Sequence, residues 1–256
     1  MVGHKARRRI WIALVLLGTV TVVALGTVIA VRAWLTEDPH DVGVQETVDH
    51  FRTAANEKTE VDGVYVYDTA GTESIDALGG DSHTYPVVSA VTVTTEGCGV
   101  SMTWKPLDGR SESWMVCPSD GGLRTPRTNS EHTFFRQTYD TGFVCEGSWW
   151  VPPTGITEWT SSCEDADRTA SRDGRVVGTE PYDVGGEQRQ SIHVQWVDHL
   201  SRGSDGTVTT DVWIDRKTGL MLREHTVTDS RNDSPVGKVT FREGLDLKVR
   251  TLAPLR

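Results

Sequence analysis

Thr210-Asp211-Val212-Trp213-Ile214-Asp215, then Arg216-Lys217-Thr218-Gly219, then Leu220-Met221-Leu222-Arg223-Glu224-His225-Thr226-Val227 reads as two strands joined by a turn. Side chains alternate between the faces of a strand with period two. Val212 and Ile214 therefore oppose Trp213, and Leu220 and Leu222 oppose Met221. Gly219 supplies the turn, because glycine alone enters positive φ without steric cost. Either face of this hairpin has enough apolar side chains to turn inward.

The same pattern runs outward from it. Strands are predicted at 64–67, 87–95, 99–104, 113–116, 132–135, 143–150, 157–161, 174–182, 191–198, 207–214, 220–228 and 238–242, with Gly, Pro, Asn, Asp and Ser in nearly every gap. Two segments, Thr125 to Glu131 and Arg168 to Asp173, are polar without periodicity and read as the parts most prone to disorder. The expected fold is mainly β, a single curved antiparallel sheet in one domain over residues 63–256. Residues 35–62 carry a polar linker and a helix, with Asp41 offering an N-cap and Val44, Val48, Phe51 and Ala55 forming one apolar stripe. So short a helix is marginal alone and is expected to lie against the sheet. Val44, Val48 and Phe51 are the candidate apolar ligand surface, over an open volume on the order of a few hundred Å3 beneath the helix.

The four cysteines fall into two matched loops, Cys98 to Cys117 and Cys145 to Cys163, each holding a tryptophan, proline, glycine and second tryptophan. Disulfides between these pairs are expected, since no C-x2-C or histidine spacing suits zinc. Folding the second loop about Thr154 sets Cys145 opposite Cys163 and Trp149 opposite Trp159. In the first loop Trp114 falls out of phase with the cysteines unless a bulge intervenes. The tryptophans are expected mainly in the core, with one or two lining an apolar pocket or partner site.

Val212-Trp213-Ile214-Asp215, Thr218-Gly219-Leu220, Leu222-Arg223-Glu224 and the strand from Gly237 to Phe241 together resemble a hairpin of the lipoprotein-carrier superfamily. That group includes periplasmic lipoprotein chaperones, mycobacterial lipid-binding lipoproteins and the carrier-like domain of anti-sigma-factor regulators. The resemblance covers the last 80 or so residues and the helix, and it implies a half-barrel over helices with an apolar concave face for acyl chains or proteins. The stretch from Gly63-Val64-Tyr65 to His83, Tyr85 and Pro86 is similar to the start of membrane-anchored actinobacterial proteins of undefined role. Twenty arginines against six lysines fit such a source.

Residues 10–34 begin with a charge-free apolar run from Ile10 to Val31, preceded by Lys5, Arg7, Arg8 and Arg9 in the basic tail of residues 1–9. About twenty apolar residues span a bilayer as a helix, and basic flanks stay cytoplasmic. The expectation is an uncleaved signal anchor: a single-pass protein of the cell membrane, N-terminus inside and C-terminal domain outside. The first 36 residues hold five bases and no acid, leaving 21 bases against 36 acids beyond them. So acidic a domain does not suit sequence-independent nucleic-acid binding.

No hydrolase, zinc-protease, phosphate-loop or dinucleotide signature is present. His83-Thr84-Tyr85-Pro86 reads as a turn, and Glu164, Asp165, Asp167 and Asp173 as a solvated loop lacking the calcium-loop order. No catalytic residue, cofactor or metal is therefore expected, and the protein is not expected to be an enzyme. The functional expectation is an extracytoplasmic binding module for a lipid or other apolar ligand. The alternative is an envelope protein-interaction or sensory module with a filled core.

Overall fold

The computed structural model describes residues 36, 38–54, 59–234 and 237–256. The expected anchor at 10–34 lies outside them, and among the described residues no helix is long and apolar enough to cross a membrane. Pro39–Arg256 forms one compact unit. Its described residues hold one α-helix, α1 (Val44–Ala54), and fourteen strands: β1 (Gly63–Ile75), β2 (Asp81–Thr84), β3 (Val88–Glu96), β4 (Gly99–Leu107), β5 (Arg110–Ser119), β6 (Gly122–Phe134), β7 (Gln137–Glu146), β8 (Trp149–Val151), β9 (Glu158–Glu164), β10 (Thr169–Val184), β11 (Glu187–Ser201), β12 (Ser204–Asp215), β13 (Met221–Ser234) and β14 (Gly237–Val249).

The sheet is antiparallel and mainly sequential, as expected, but the half-barrel is corrected to a closed ring. Following hydrogen-bonded neighbours from β1 through β3, β4, β5, β6, β7 and β9 to β14 leads back to β1, which pairs with β14 from Tyr67↔Val249 to Ile75↔Phe241. β2 extends the β1 edge, and β8 pairs with β6. Closure leaves this ring without open edges. Glycine makes the closing contact possible: a Cβ on Gly71, at φ 147°, would come within 2.1 Å of the Gly244 carbonyl oxygen.

The opening hairpin is β12–β13. Asp215 fixes its turn: the Gly219 N–H donates to the Asp215 carbonyl (2.8 Å) and the Thr218 hydroxyl to its carboxylate (2.8 Å). Val212 and Ile214 face inward and are fully buried. Trp213 faces outward, stacked on His193 at 4.0 Å with the Arg223 guanidinium 4.8 Å from its ring.

Inward residues grade from apolar to polar along β13, and on β14 the apolar series is broken by one charge. On β13 they run Leu222, Glu224, Thr226, Thr228, Ser230; on β14, from the same end, Val249, Leu247, Leu245, Glu243, Phe241. The apolar end contains the main core. A ring of twelve strands is wider than the roughly eight-stranded barrel that ordinary side chains just fill. Large aromatics fill it here: Trp104, Trp114, Trp150 and Trp196 are all buried in that core with Tyr65 and Tyr67.

Helix α1 packs outside the ring, with Val48 and Phe51 buried against Val64 and Ala90 and Val44 partly buried beside them. Val64 and Ala90 alternate with the inward Tyr65 and Val91, so the helix covers the outer wall. Its N-terminus departs from expectation. Thr47 N–H donates to Gly43 (3.0 Å), while Asp41 bridges to Leu107 at the end of β4. Ala55 lies outside the described residues.

Both disulfides form as expected, Cys98–Cys117 and Cys145–Cys163. Cys145 directly opposes Cys163 across β7 and β9. Trp149 and Trp159 do not pair: β8 turns away to β6, opposing Trp149 to Arg124, and Trp159 opposes Gly174 on β10. In the first loop, a register irregularity between Trp104 and Leu107 lets Trp114 oppose Met102 and turn inward. The segments expected to be most prone to disorder are strand as well, 125–131 in β6 and 169–173 in β10, with Arg168 just before the strand.

Candidate functional site

The polar end of the barrel is not filled. It encloses a cavity of about 180 Å3, inside the ring and not beneath the helix. Val44, Val48 and Phe51, the surface expected from sequence, are not among its lining residues. The cavity has aromatic walls that include Trp114, Phe134, Phe143, Trp196 and Phe241. Hydroxyls interleave with them: Thr128 and Ser130 from β6, Thr210 from β12, Thr226, Thr228 and Ser230 from β13. This explains the polar segments of β6 and β10. Their inward residues meet a cavity instead of a core, so the apolar alternation that marks an ordinary strand is lost.

A buried charged layer stands between the cavity and much of the apolar core. Arg110, 1% exposed at the start of β5, is its centre. Its Nη2 donates to Glu243 on β14 (2.7 Å) and Glu112 (3.0 Å), and its Nη1 to the Ser111 carbonyl (2.7 Å). The Tyr85 hydroxyl donates to the same Glu243 oxygen. Beside this group Glu73 on β1 accepts from His83 Nδ1 (2.9 Å) and, across the lumen, from His132 Nδ1 on β6 (2.7 Å). Arg110 to Glu243 and His132 to Glu73 thus tie β5 and β6 to β14 and β1.

These neighbours set the ionisation. Burial works to raise the Glu73 pKa, but the hydrogen bonds from His132 and His83 outweigh it and hold the carboxyl down to about 2. Burial pushes Glu112 up, against the pull of Arg110 and with the charge of Glu243 adding to the rise. Glu224 on β13 is raised well above the carboxylate range, by burial first and then by Glu112. Its Oε1 accepts from the Thr226 hydroxyl (2.9 Å), and its buried Oε2 meets no hydrogen-bond partner among the described residues.

A second buried group stands on the opposite wall. Arg172 on β10 grips Asp198 on β11 through two bonds (2.7 and 2.8 Å), donates to the Ser148 hydroxyl (3.0 Å), and lies 5.0 Å from the Trp196 ring.

Glu73, His132 and Glu243 place ligand-type atoms within 4.8 Å of one another, the spacing of a metal site. The Arg110 guanidinium already supplies the positive charge there: Nη2 lies 2.7 Å from Glu243 and Nε 3.6 Å from Glu73. A divalent cation would meet that fixed charge at close range, so the donor set fits an ion-pair network better than a metal. Of the acids weighed as a calcium loop, Asp165 instead closes the β9–β10 turn by donating its N–H to the Arg168 carbonyl (2.9 Å).

The residues read as a turn, His83 and Tyr85, belong to the charged layer. Glu73, Arg110, Glu112, His132, Glu224 and Glu243 were missed. A signal existed for two of them, because Glu224 shares the phase of Leu222 and Glu243 that of Leu245 and Leu247.

No family model matches the chain, and no curated protein matches it. Among solved structures it is similar to the hypothetical lipoprotein YmcC from Escherichia coli K12, at 14% sequence identity and a TM-score of 0.35, over 78% of this chain and 95% of that one. This is a weak structural relation.

Proposed function

We propose that residues 39–256 form a non-catalytic binding module on the outer side of the cell membrane, held there by the N-terminal apolar segment. Its site is the polar end of the barrel lumen. Its ligand is a small apolar or amphipathic molecule, or the end of a larger one such as an acyl chain. One observation carries this reading: a barrel whose other half is densely packed keeps a cavity of about 180 Å3 lined by aromatic rings and hydroxyls. An apolar cavity of about 150 Å3 suffices for benzene, so the volume suits a ring or several methylenes. It does not suit an entire lipid.

Binding is favoured over catalysis because the two imidazoles and the Tyr85 hydroxyl are engaged with buried carboxylates. Both imidazoles bond Glu73 through Nδ1, and Tyr85 bonds Glu243. The open lumen favours a ligand over the alternative of a filled interaction module. The disulfides and the apolar N-terminal run support the location.

Saturation-transfer NMR with benzene on the purified full-length chain tests the site. Benzene should bind, and Ser230→Phe, which fills the lumen from β13, should abolish binding while the protein stays folded. Solvent extraction of freshly purified protein should also release a small apolar compound from wild type and not from the variant. Absence of both signals in wild type overturns the reading. Protease added to intact cells should digest residues 39–256; a protected domain overturns the location.

A further inference from the structure

The cavity bears one mark of what it binds. Glu224 is 1% exposed, lines the lumen, and has one oxygen committed to Thr226 at 2.9 Å. Its other oxygen, Oε2, is buried without a hydrogen-bond partner among the described residues. Buried polar atoms in native proteins are nearly always paired, so an unpaired one beside a cavity points to a partner that comes from the cavity. The neighbouring acids offer no such opening, since Glu112 and Glu243 both hold Arg110 Nη2.

Resting on the reading of the lumen as a binding site, we propose that Glu224 Oε2 is the recognition point for an uncharged oxygen of the ligand: a carbonyl, ether or hydroxyl oxygen. The Thr226 hydroxyl has a single proton, and the shorter of its two polar contacts is to Glu224 Oε1, at 2.9 Å against 3.3 Å to Thr210. Oε1 is then the accepting oxygen, and the acid proton belongs on Oε2, the oxygen left without a partner on a residue that lines the lumen. Burial and the nearby Glu112 both favour the protonated carboxyl over the carboxylate. A carboxylic acid kept neutral in this way is a strong hydrogen-bond donor. The ligand class is therefore a neutral amphiphile that inserts a ring or short chain bearing an acceptor oxygen. The aromatic walls take its apolar part, and Thr228 and Ser230 stand along the same strand for further polar groups.

Three ring probes of similar size test this on the full-length chain by ligand-observed NMR titration: cyclohexanone, methylcyclohexane and cyclohexylammonium. Cyclohexanone should bind about tenfold more tightly than methylcyclohexane, the worth of one buried hydrogen bond. Glu224→Gln keeps an oxygen for Thr226 and turns an N–H toward the lumen, so it should retain the preference. Glu224→Leu should erase the preference, bringing cyclohexanone and methylcyclohexane to within about twofold of each other. Equal binding of ketone and hydrocarbon by wild type overturns the proposal. So does a preference for cyclohexylammonium that Glu224→Gln removes, which makes Glu224 a counter-ion. If none of the probes binds, the lumen itself is not a site for ligands of this size, and that result removes the functional reading along with this one.

Discussion

Cys145 and Cys163 face each other across the shortest pairing in the ring. β7 and β9 share only three residue pairs, Val144 with Glu164, Cys145 with Cys163, and Glu146 with Ser162. Above them the seam is bridged by a side-chain bond, Arg168 Nη1 to the Thr141 hydroxyl at 2.7 Å. The disulfide thus clasps the place where the barrel is most easily parted, just below the cavity wall formed by Phe143. Replacing both cysteines by serine should cost about 3 kcal/mol in urea unfolding, as for other loops of this length. Hydrogen exchange separates clasp from generic cross-link: amides of β7 and β9 should lose protection ahead of the rest of the barrel. The Cys98/Cys117 double serine variant should lose similar stability and leave β7 and β9 protected. Uniform loss of protection in the first variant would sink the clasp interpretation.

Arg110 holds a shared counter-charge position that no neighbour can take over. Removing it leaves Glu112 and Glu243 without a cationic partner in a buried layer, and breaking such a group from one side costs about 3–5 kcal/mol. Arg110→Ala should fall in that range by chemical denaturation. Arg110→Lys should recover little, because one ammonium cannot serve Glu243, Glu112 and the Ser111 carbonyl from the fixed directions a guanidinium provides. Full recovery by lysine would show that only net charge matters.

Gly71 and Gly244 offer an asymmetric test of ring closure. A Cβ on Gly71 would collide with the Gly244 carbonyl at 2.1 Å, whereas a Cβ on Gly244 meets nothing within 4 Å. Gly71→Ala should therefore destabilise by about 1–3 kcal/mol or more, and Gly244→Ala should be close to neutral. Comparable losses at both positions would contradict the β1–β14 register.

What could be read from the sequence divides along the barrel axis. The predicted strands are present except that 143–150 is divided between β7 and β8; most are longer than predicted, and the missing part often lies at the polar end. The strand expected at 220–228 runs on through Thr228, Ser230 and Asn232 to Ser234, where inward residues face the cavity and the outward ones face water. With both faces polar, period two carries no hydropathy signal there. The disulfides were legible because cysteine spacing is local information. The charged layer was not, because His132 and Glu73 meet only after the chain has passed through four intervening strands. Closure was hidden for the same reason, since β1 and β14 pair residues from opposite ends of the domain.

Glu73 and Glu224 give the stability profile opposite slopes. Glu73 is ionised in the fold down to about 2 against an ordinary 4.5, so its contribution is complete above 4.5 and is lost as pH falls between those values. His132→Ala, which removes one of its donors, should flatten that acid limb. Glu224 behaves in the reverse sense. Its folded pKa is raised well above 4.5, so above 4.5 the unfolded chain releases a proton that the fold retains, and stability declines as pH rises toward the folded value. Each such group changes stability by about 1.4 kcal/mol per pH unit within its window. Glu224→Gln has no proton to lose, and its stability advantage over wild type should grow as pH rises above 4.5 in parallel urea titrations. A constant difference between the two proteins over that range would mean that Glu224 is ionised in the fold, and the donor role assigned to Oε2 would fall with it.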